Sequence, residues 1–192
     1  MLDPFPPCSL LATVIHPIAQ SLNLGSLPLH IHEIVFALSF YTFLESFASP
    51  AISSFLFPVY PTVPRQTKIS WNIHFVSLIH PLGSLFRYRA LIHGLAGPYM
   101  GYTGAGGMVQ AFSAGYFLWD LGVSIVYFDI LGWSSLLHAI YALAVVSLGF
   151  QPHGHRMSKG LIQFQQRPFA NYYGLNFVLY ELSTPFLNIH WF

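Results

Sequence analysis

Charge is what this sequence has least of. Its 192 residues include 7 Lys+Arg and 6 Asp+Glu, or 7% of the chain, where an ordinary soluble domain carries roughly 25%. So few ionised groups cannot coat a water-facing surface. A net charge of +1 also excludes a nucleic-acid partner, which needs a basic stripe to neutralise phosphates. The single cysteine, Cys8, rules out an internal disulfide. Nucleophile-elbow, paired-cysteine and kinase-type signatures are missing. The Gly-rich GYTGAGG at 101–107 has neither a Lys-Ser/Thr ending nor a preceding strand, so it reads as a connector and not a phosphate cradle. Metal-ligand spacing is missing too. His153 and His155 sit in a polar loop without further close ligands, and His74 and His80 are six residues apart, on different helix faces. No metal or cofactor is expected.

What is present is hydrocarbon. The chain is 54% hydrophobic and 17% aromatic, which a bilayer accommodates and water does not, so it is read as integral to the membrane. Unsatisfied backbone groups are too costly in lipid for anything here but helices of ~20 apolar residues. The fold expected is therefore all-α, a multi-pass transmembrane bundle with about five spans. Residues 1–33 form a lead-in: MLDPFPP lacks a positive n-region, and Pro6, Pro7 and Pro17 bracket an apolar run too short to span.

The first span, Ile34 to Phe57, holds Glu45 and Pro50, and the proline predicts a kink or an early end. A Pro-punctuated loop completes the segment 34–69. The second span, Ser70 to Phe86, is followed by a long loop over 87–106. The third runs from Met108 to Phe128 and turns tightly near Leu131–Gly132 into a fourth that ends at Phe150. The polar stretch 151–167 is an aqueous loop, and a fifth span starts near Pro168. Arg65 and Lys68 lie in one pair of loops and Arg87, Arg89, Arg156, Lys159 and Arg167 in the other. The positive-inside bias places the second pair, with the N-terminus, in the cytoplasm.

Ionisable groups at membrane depth cost roughly 2.5–3.5 kcal/mol each on insertion scales, so each needs a reason. Asp120, His138 and Glu181 are the candidates, with His74 and His80 nearer the start of the second span. Asp120 and His138 lie on consecutive antiparallel helices, and at ~1.5 Å per residue their depths differ by about 6 Å. A carboxylate that orients an imidazole is the usual arrangement of a general base. The same residues could equally hydrogen-bond neighbouring helices, and Tyr116, Ser124, Ser134, Ser135 and Tyr141 lie one turn away to satisfy them.

Four stretches carry a resemblance. SWNIHFVSLIHP (70–81), GYFLWDLGVSIVYFDILGW (115–133), LLHAIYAL (136–143) and RPFANYYGLNFVLYELSTPFLNIHWF (167–192) resemble the TLC domain, in particular a fungal branch of it. The domain would occupy 70–192, with PHGHRMSKGLIQFQQ reading as an insertion at about 152–165, of the kind a retained intron leaves. The resemblance implies a helical bundle in the endoplasmic reticulum, working with membrane lipids in membrane-lipid homeostasis, and one or two further spans beyond Phe192. It marks Asp120 and His138 as site residues. It also offers two alternatives: an N-acyltransferase like the ceramide synthases, using acyl-CoA, or a non-enzymatic lipid- or cargo-binding adaptor. In ceramide synthases the matched histidine is doubled and a His-Asp pair follows. Here the neighbour is Ala139 and no His-Asp dipeptide occurs, which counts against acyl transfer.

Overall fold

A computed structural model describes residues 5–94 and 104–151. In chain order they form α1 (Ser9–Ser21), α2 (Leu27–Phe43), α3 (Ser49–Leu56), α4 (Arg65–Gly94), α5 (Gly104–Val126) and α6 (Phe128–Ser147). A π-helical turn, Leu44–Ala48, joins α2 to α3, and 3-10 turns cover Tyr60–Thr62 and Leu148–Phe150. No strand occurs among the described residues, and the chain is the all-α bundle its composition demands.

Three stretches among the described residues are long and apolar enough to cross a membrane: Leu27–Leu56, Gly107–Val126 and Phe128–Phe150. Twenty residues of helix rise about 30 Å, the thickness of the hydrocarbon layer. The expected second span lies within α4, which is 30 residues long but is made more polar by Asn72, His74 and His80. The 152–165 insertion, the fifth span and Glu181 fall outside the described residues.

Several local features differ from the sequence reading. Part of the lead-in is helical, because α1 runs through Pro17 and packs Ala19 into the core. The first span begins earlier than expected, at Leu27, where Pro28 occupies the first turn and its missing N–H costs nothing. Pro50 does not end it. The Ser49 N–H bonds the Leu44 carbonyl five residues back, so a widened turn comes immediately before the proline, whose ring would clash with the carbonyl of Ser46 in a regular helix. The loop expected over 87–106 is shorter, because α4 continues to Gly94 and α5 starts at Gly104. The expected tight turn spreads over Tyr127 to Gly132. Gly132 has φ 69° inside α6, a left-handed backbone that favours glycine.

α5 is the centre of the packing. Of its span, 61% is buried inside the protein, against 39% for Leu27–Leu56 and 17% for Phe128–Phe150. α2 presents Leu27, His30, Ile34, Ala37 and Tyr41 to the interior, spaced three and four apart as one helix face requires. Lipid tails are as apolar as leucine, so packing depends on how closely backbones approach. A Cβ built on Gly115 would lie 2.6 Å from the Ala37 Cβ and 2.8 Å from the Ile34 carbonyl oxygen, and one on Gly107 would strike the His30 ring. Contacts at His30–Gly107, Ala37–Gly115 and Tyr41–Tyr116 advance together along both helices, so α2 and α5 run parallel.

α4 runs the opposite way, with Asn72 beside Ser49 and His80 beside Tyr41. Its start is pinned by buried hydroxyls. The Ser49 and Tyr60 hydroxyls both donate to Asn72 Oδ1 at 2.9 Å, and Trp71 Nε1 donates to Ser53 Oγ at 2.9 Å. α6 returns along α5, held where the Gln110 amide donates to the Val146 carbonyl. The Ser26 hydroxyl closes the bundle by donating to the Phe150 carbonyl at 3.1 Å.

Candidate functional site

Among the described residues, a concentration of buried polar and aromatic groups lies where α2, α4 and α5 meet. His80 is 1% exposed. Its imidazole stacks on the Tyr116 ring with centroids 3.8 Å apart and planes 2° from parallel. Its Nδ1 lies 2.9 Å from the Tyr41 hydroxyl, a bond in which either group donates according to the tautomer. Tyr41 meets the His80 ring edge-on at 5.6 Å and the Tyr116 ring at 5.3 Å. The Tyr116 hydroxyl donates to Ser77 Oγ at 3.2 Å, and Trp119 leans on both tyrosines.

Local sequence explains this geometry. Tyr116 and Asp120 are four apart on α5, and Ser77 and His80 are three apart on α4, so each pair shares one face. Pro81 has no N–H for the Ser77 carbonyl, which marks a weak point in the α4 ladder beside the imidazole. The site therefore places an imidazole and two phenols, all able to accept and donate protons, in an interior at membrane depth.

The two expected site residues have different settings. Asp120 is half-buried one turn beyond Tyr116, on the helix that carries the cluster. His138 stands on the exposed face of α6, beside Leu137 and Tyr141, while Ala139, Ala142 and Val146 form the buried face. His74 is half-buried on α4, two turns before His80. Of the hydroxyls expected near them, Ser124 is fully buried, whereas Ser134 and Tyr141 are exposed.

A second buried polar pair escaped the sequence reading. His30 Nδ1 lies 2.7 Å from Glu33 Oε2, with the side chains 0% and 2% exposed. Gly107 lies flat under the imidazole, where any Cβ would meet it at 2.2 Å. The spacing His-x-x-Glu in LPLHIHEI signals two residues on one helix face. Read as part of a lead-in rather than a helix, the stretch gives no reason to place the two side chains together.

The family model described as the TLC domain matches residues 69–192. The chain belongs to the TLC domain family. The match includes His80, Tyr116, Asp120 and His138, while Tyr41, His30 and Glu33 on α2 precede it. A TLC domain-containing protein of Schizosaccharomyces pombe, described as uncharacterized, is 33% identical over 181 residues, 93% of this chain and 57% of its own length. Topoisomerase I damage affected protein 4 of Saccharomyces cerevisiae is 34% identical over 170 residues, 85% of this chain and 54% of its own. The chain thus spans about half the length of these curated relatives. No solved structure matches it. Family and apolar helices together make it an integral membrane protein.

Proposed function

We propose that this TLC protein acts in membrane-lipid homeostasis in the endoplasmic reticulum, with membrane lipids as its partners. The observation that supports this is the His80–Tyr41–Tyr116 cluster, a hydrogen-bonded and stacked imidazole–phenol group enclosed by helices and continued along α5 by Asp120.

Asp120 and His138 are proposed as the working pair. Asp120 supplies the carboxylate beside the cluster, and His138 an imidazole on the outer face of α6, where a lipid or a further helix can meet it. Transfer of an acyl group from acyl-CoA, as in ceramide synthases, is the weaker reading. The position after His138 holds Ala139, which is 0% exposed, so a second imidazole there would force the α6 packing apart.

The test uses the full-length parent protein in its native membrane. Asp120→Asn and His138→Ala should each abolish the lipid phenotype of a deletion-complementation strain while protein abundance holds. The double variant should be little worse than either single, because removing one partner of a working acid–base unit removes most of its contribution. A fall in abundance on Asp120→Asn would instead mark that half-buried carboxylate as structural, since its polar partners lose it. Unchanged lipids with unchanged abundance in both variants would sink the proposal.

A further inference from the structure

Of the three described spans, Phe128–Phe150 has the least protein around it, and its outer face is not wholly apolar. Ser134, His138 and Tyr141 are four and three residues apart and so share one side of α6. All three are exposed. The neighbouring Ser135 satisfies itself on the Leu131 carbonyl at 3.2 Å, but none of these three has a hydrogen-bond partner among the described residues. Around them stand the exposed Trp133, Leu137 and Ile140, while Ala139, Ala142 and Val146 form the side packed into the protein.

Depth decides what can cover this face. The span is 23 residues long, enough to cross the ~30 Å hydrocarbon layer. His138 lies 12 residues before Phe150, about 18 Å into it. A lipid headgroup held at either boundary stays more than about 10 Å short. Polar side chains at such a depth face a bundle interior and bond across to another helix. A second copy of α6 would set imidazole against imidazole, with no carboxylate to receive either N–H.

The chain's own sequence supplies the complement. Beyond Phe150 it continues through the polar stretch 151–167 into the apolar stretch 168–192, where the fifth span is expected. Consecutive elements usually neighbour one another. A span that follows α6 re-enters from the side where α6 leaves, so it runs antiparallel and meets α6 at equal counts from the shared boundary. Back from Phe150, Tyr141, His138 and Ser134 stand at 9, 12 and 16 residues; on from Pro168, Phe177, Glu181 and Thr184 stand at 9, 13 and 16. One residue of mismatch is only ~1.5 Å. Phe177, Glu181 and Thr184 are also four and three apart, as one helix face requires. Glu181 is the single carboxylate side chain in 168–192, and a carboxylate accepts from an imidazole N–H.

We infer that the Ser134–His138–Tyr141 face of α6 is the docking surface for the 168–192 stretch of this chain. At its centre the His138 imidazole donates to the Glu181 carboxylate, with Ser134 beside Thr184 and Tyr141 beside Phe177. The pairing takes both ionisable groups away from lipid, and it holds whether or not Asp120 and His138 perform chemistry.

Cysteine pairs test this in the full chain, in native membranes, on a Cys8→Ser background, with membrane-permeant copper phenanthroline as oxidant. A disulfide closes only where Cα atoms come within about 7 Å. His138→Cys with Glu181→Cys, and Tyr141→Cys with Phe177→Cys, should each form an intramolecular disulfide. Tyr141→Cys with Thr184→Cys, mismatched by 7 residues or ~10 Å, should not. Glu181→Leu should lower the 141/177 crosslink about tenfold, the worth of one charge-assisted hydrogen bond. Adding His138→Leu should restore it, because a pair replaced on both sides leaves neither group unsatisfied. Asp120→Asn should leave both crosslinks intact, so failure of the proposed lipid function and failure of this contact are told apart. No disulfide at either matched pair, an equal yield from the mismatched pair, or a covalent dimer from Tyr141→Cys alone would each overturn the assignment.

Discussion

Gly115 and Gly122 lie two turns apart on α5 and offer a matched test of the packing. Replacing either by alanine gains helix propensity of about 1 kcal/mol. At Gly122 nothing opposes that gain, because a Cβ there would have no neighbour within 4 Å. At Gly115 the new methyl would sit 2.6 Å from the Ala37 Cβ, 2.8 Å from the Ile34 carbonyl oxygen and 3.2 Å from the Leu38 nitrogen. None of these atoms is the free end of a flexible side chain. Carbon contacts settle at ~3.5–4.0 Å, so α2 and α5 must separate by about 1 Å, a gap that forfeits a quarter to a half of each contact across the interface. Overpacking of this kind costs ~1–3 kcal/mol. Gly115→Ala should therefore be destabilised by up to about 2 kcal/mol net, and Gly122→Ala stabilised by up to about 1 kcal/mol. For a chain of this length, 1 kcal/mol moves Tm by ~2–4 °C. The propensity gain is common to both, so thermal unfolding in detergent should separate the two variants by about 2–12 °C. If Gly115→Ala melts at or above Gly122→Ala, the close approach of α2 and α5 is not real.

Two further outcomes are expected. Burial pushes the Tyr60 phenol above its ordinary value near 10, by more than the Asn72 hydrogen bond offsets, and the Glu45 carboxylate adds to the rise. Stability from Tyr60 is then fully present below pH 10 and lost as pH climbs through the raised value. Tyr60→Phe should flatten that alkaline loss in a denaturation series, and identical slopes for the two proteins would refute it. The chain has no Asn-x-Ser/Thr acceptor, so engineered ones report topology cleanly. A sequon near Thr62 should be glycosylated and one near Lys159 should not, whereas sugar at the second would reverse the orientation drawn from the positive-inside bias.

The sequence by itself determined the solvent. With 13 ionised residues by the count of 7 Lys+Arg and 6 Asp+Glu, only a membrane could take the chain, and apolar length placed the helices now seen as α2, α5 and α6. Asp120, His138 and His80 stand out in the sequence for the same reason, as polar groups within greasy runs. Helix ends were less legible. Pro50 predicted an interruption, but a π-turn absorbs it by bonding Ser49 back to Leu44, and only the three-dimensional backbone shows that bond. His30 and Glu33 were missed because their segment was not recognised as helical. Which helices touch, and by which faces, was decided by tertiary structure alone. In water an amphipathic stripe announces the buried side; here α2 exposes Phe36, Phe40 and Phe43 while burying Ile34, Ala37 and Tyr41 together with His30 and Glu33, so the outer face is no less apolar than the buried one. Lipid removes the hydrophobic contrast that makes inward and outward distinguishable in sequence. What replaces it is shape: Gly115 fits against Ala37, Gly107 against His30 and Tyr116 against His80, and each of those matches exists only between residues far apart in the chain.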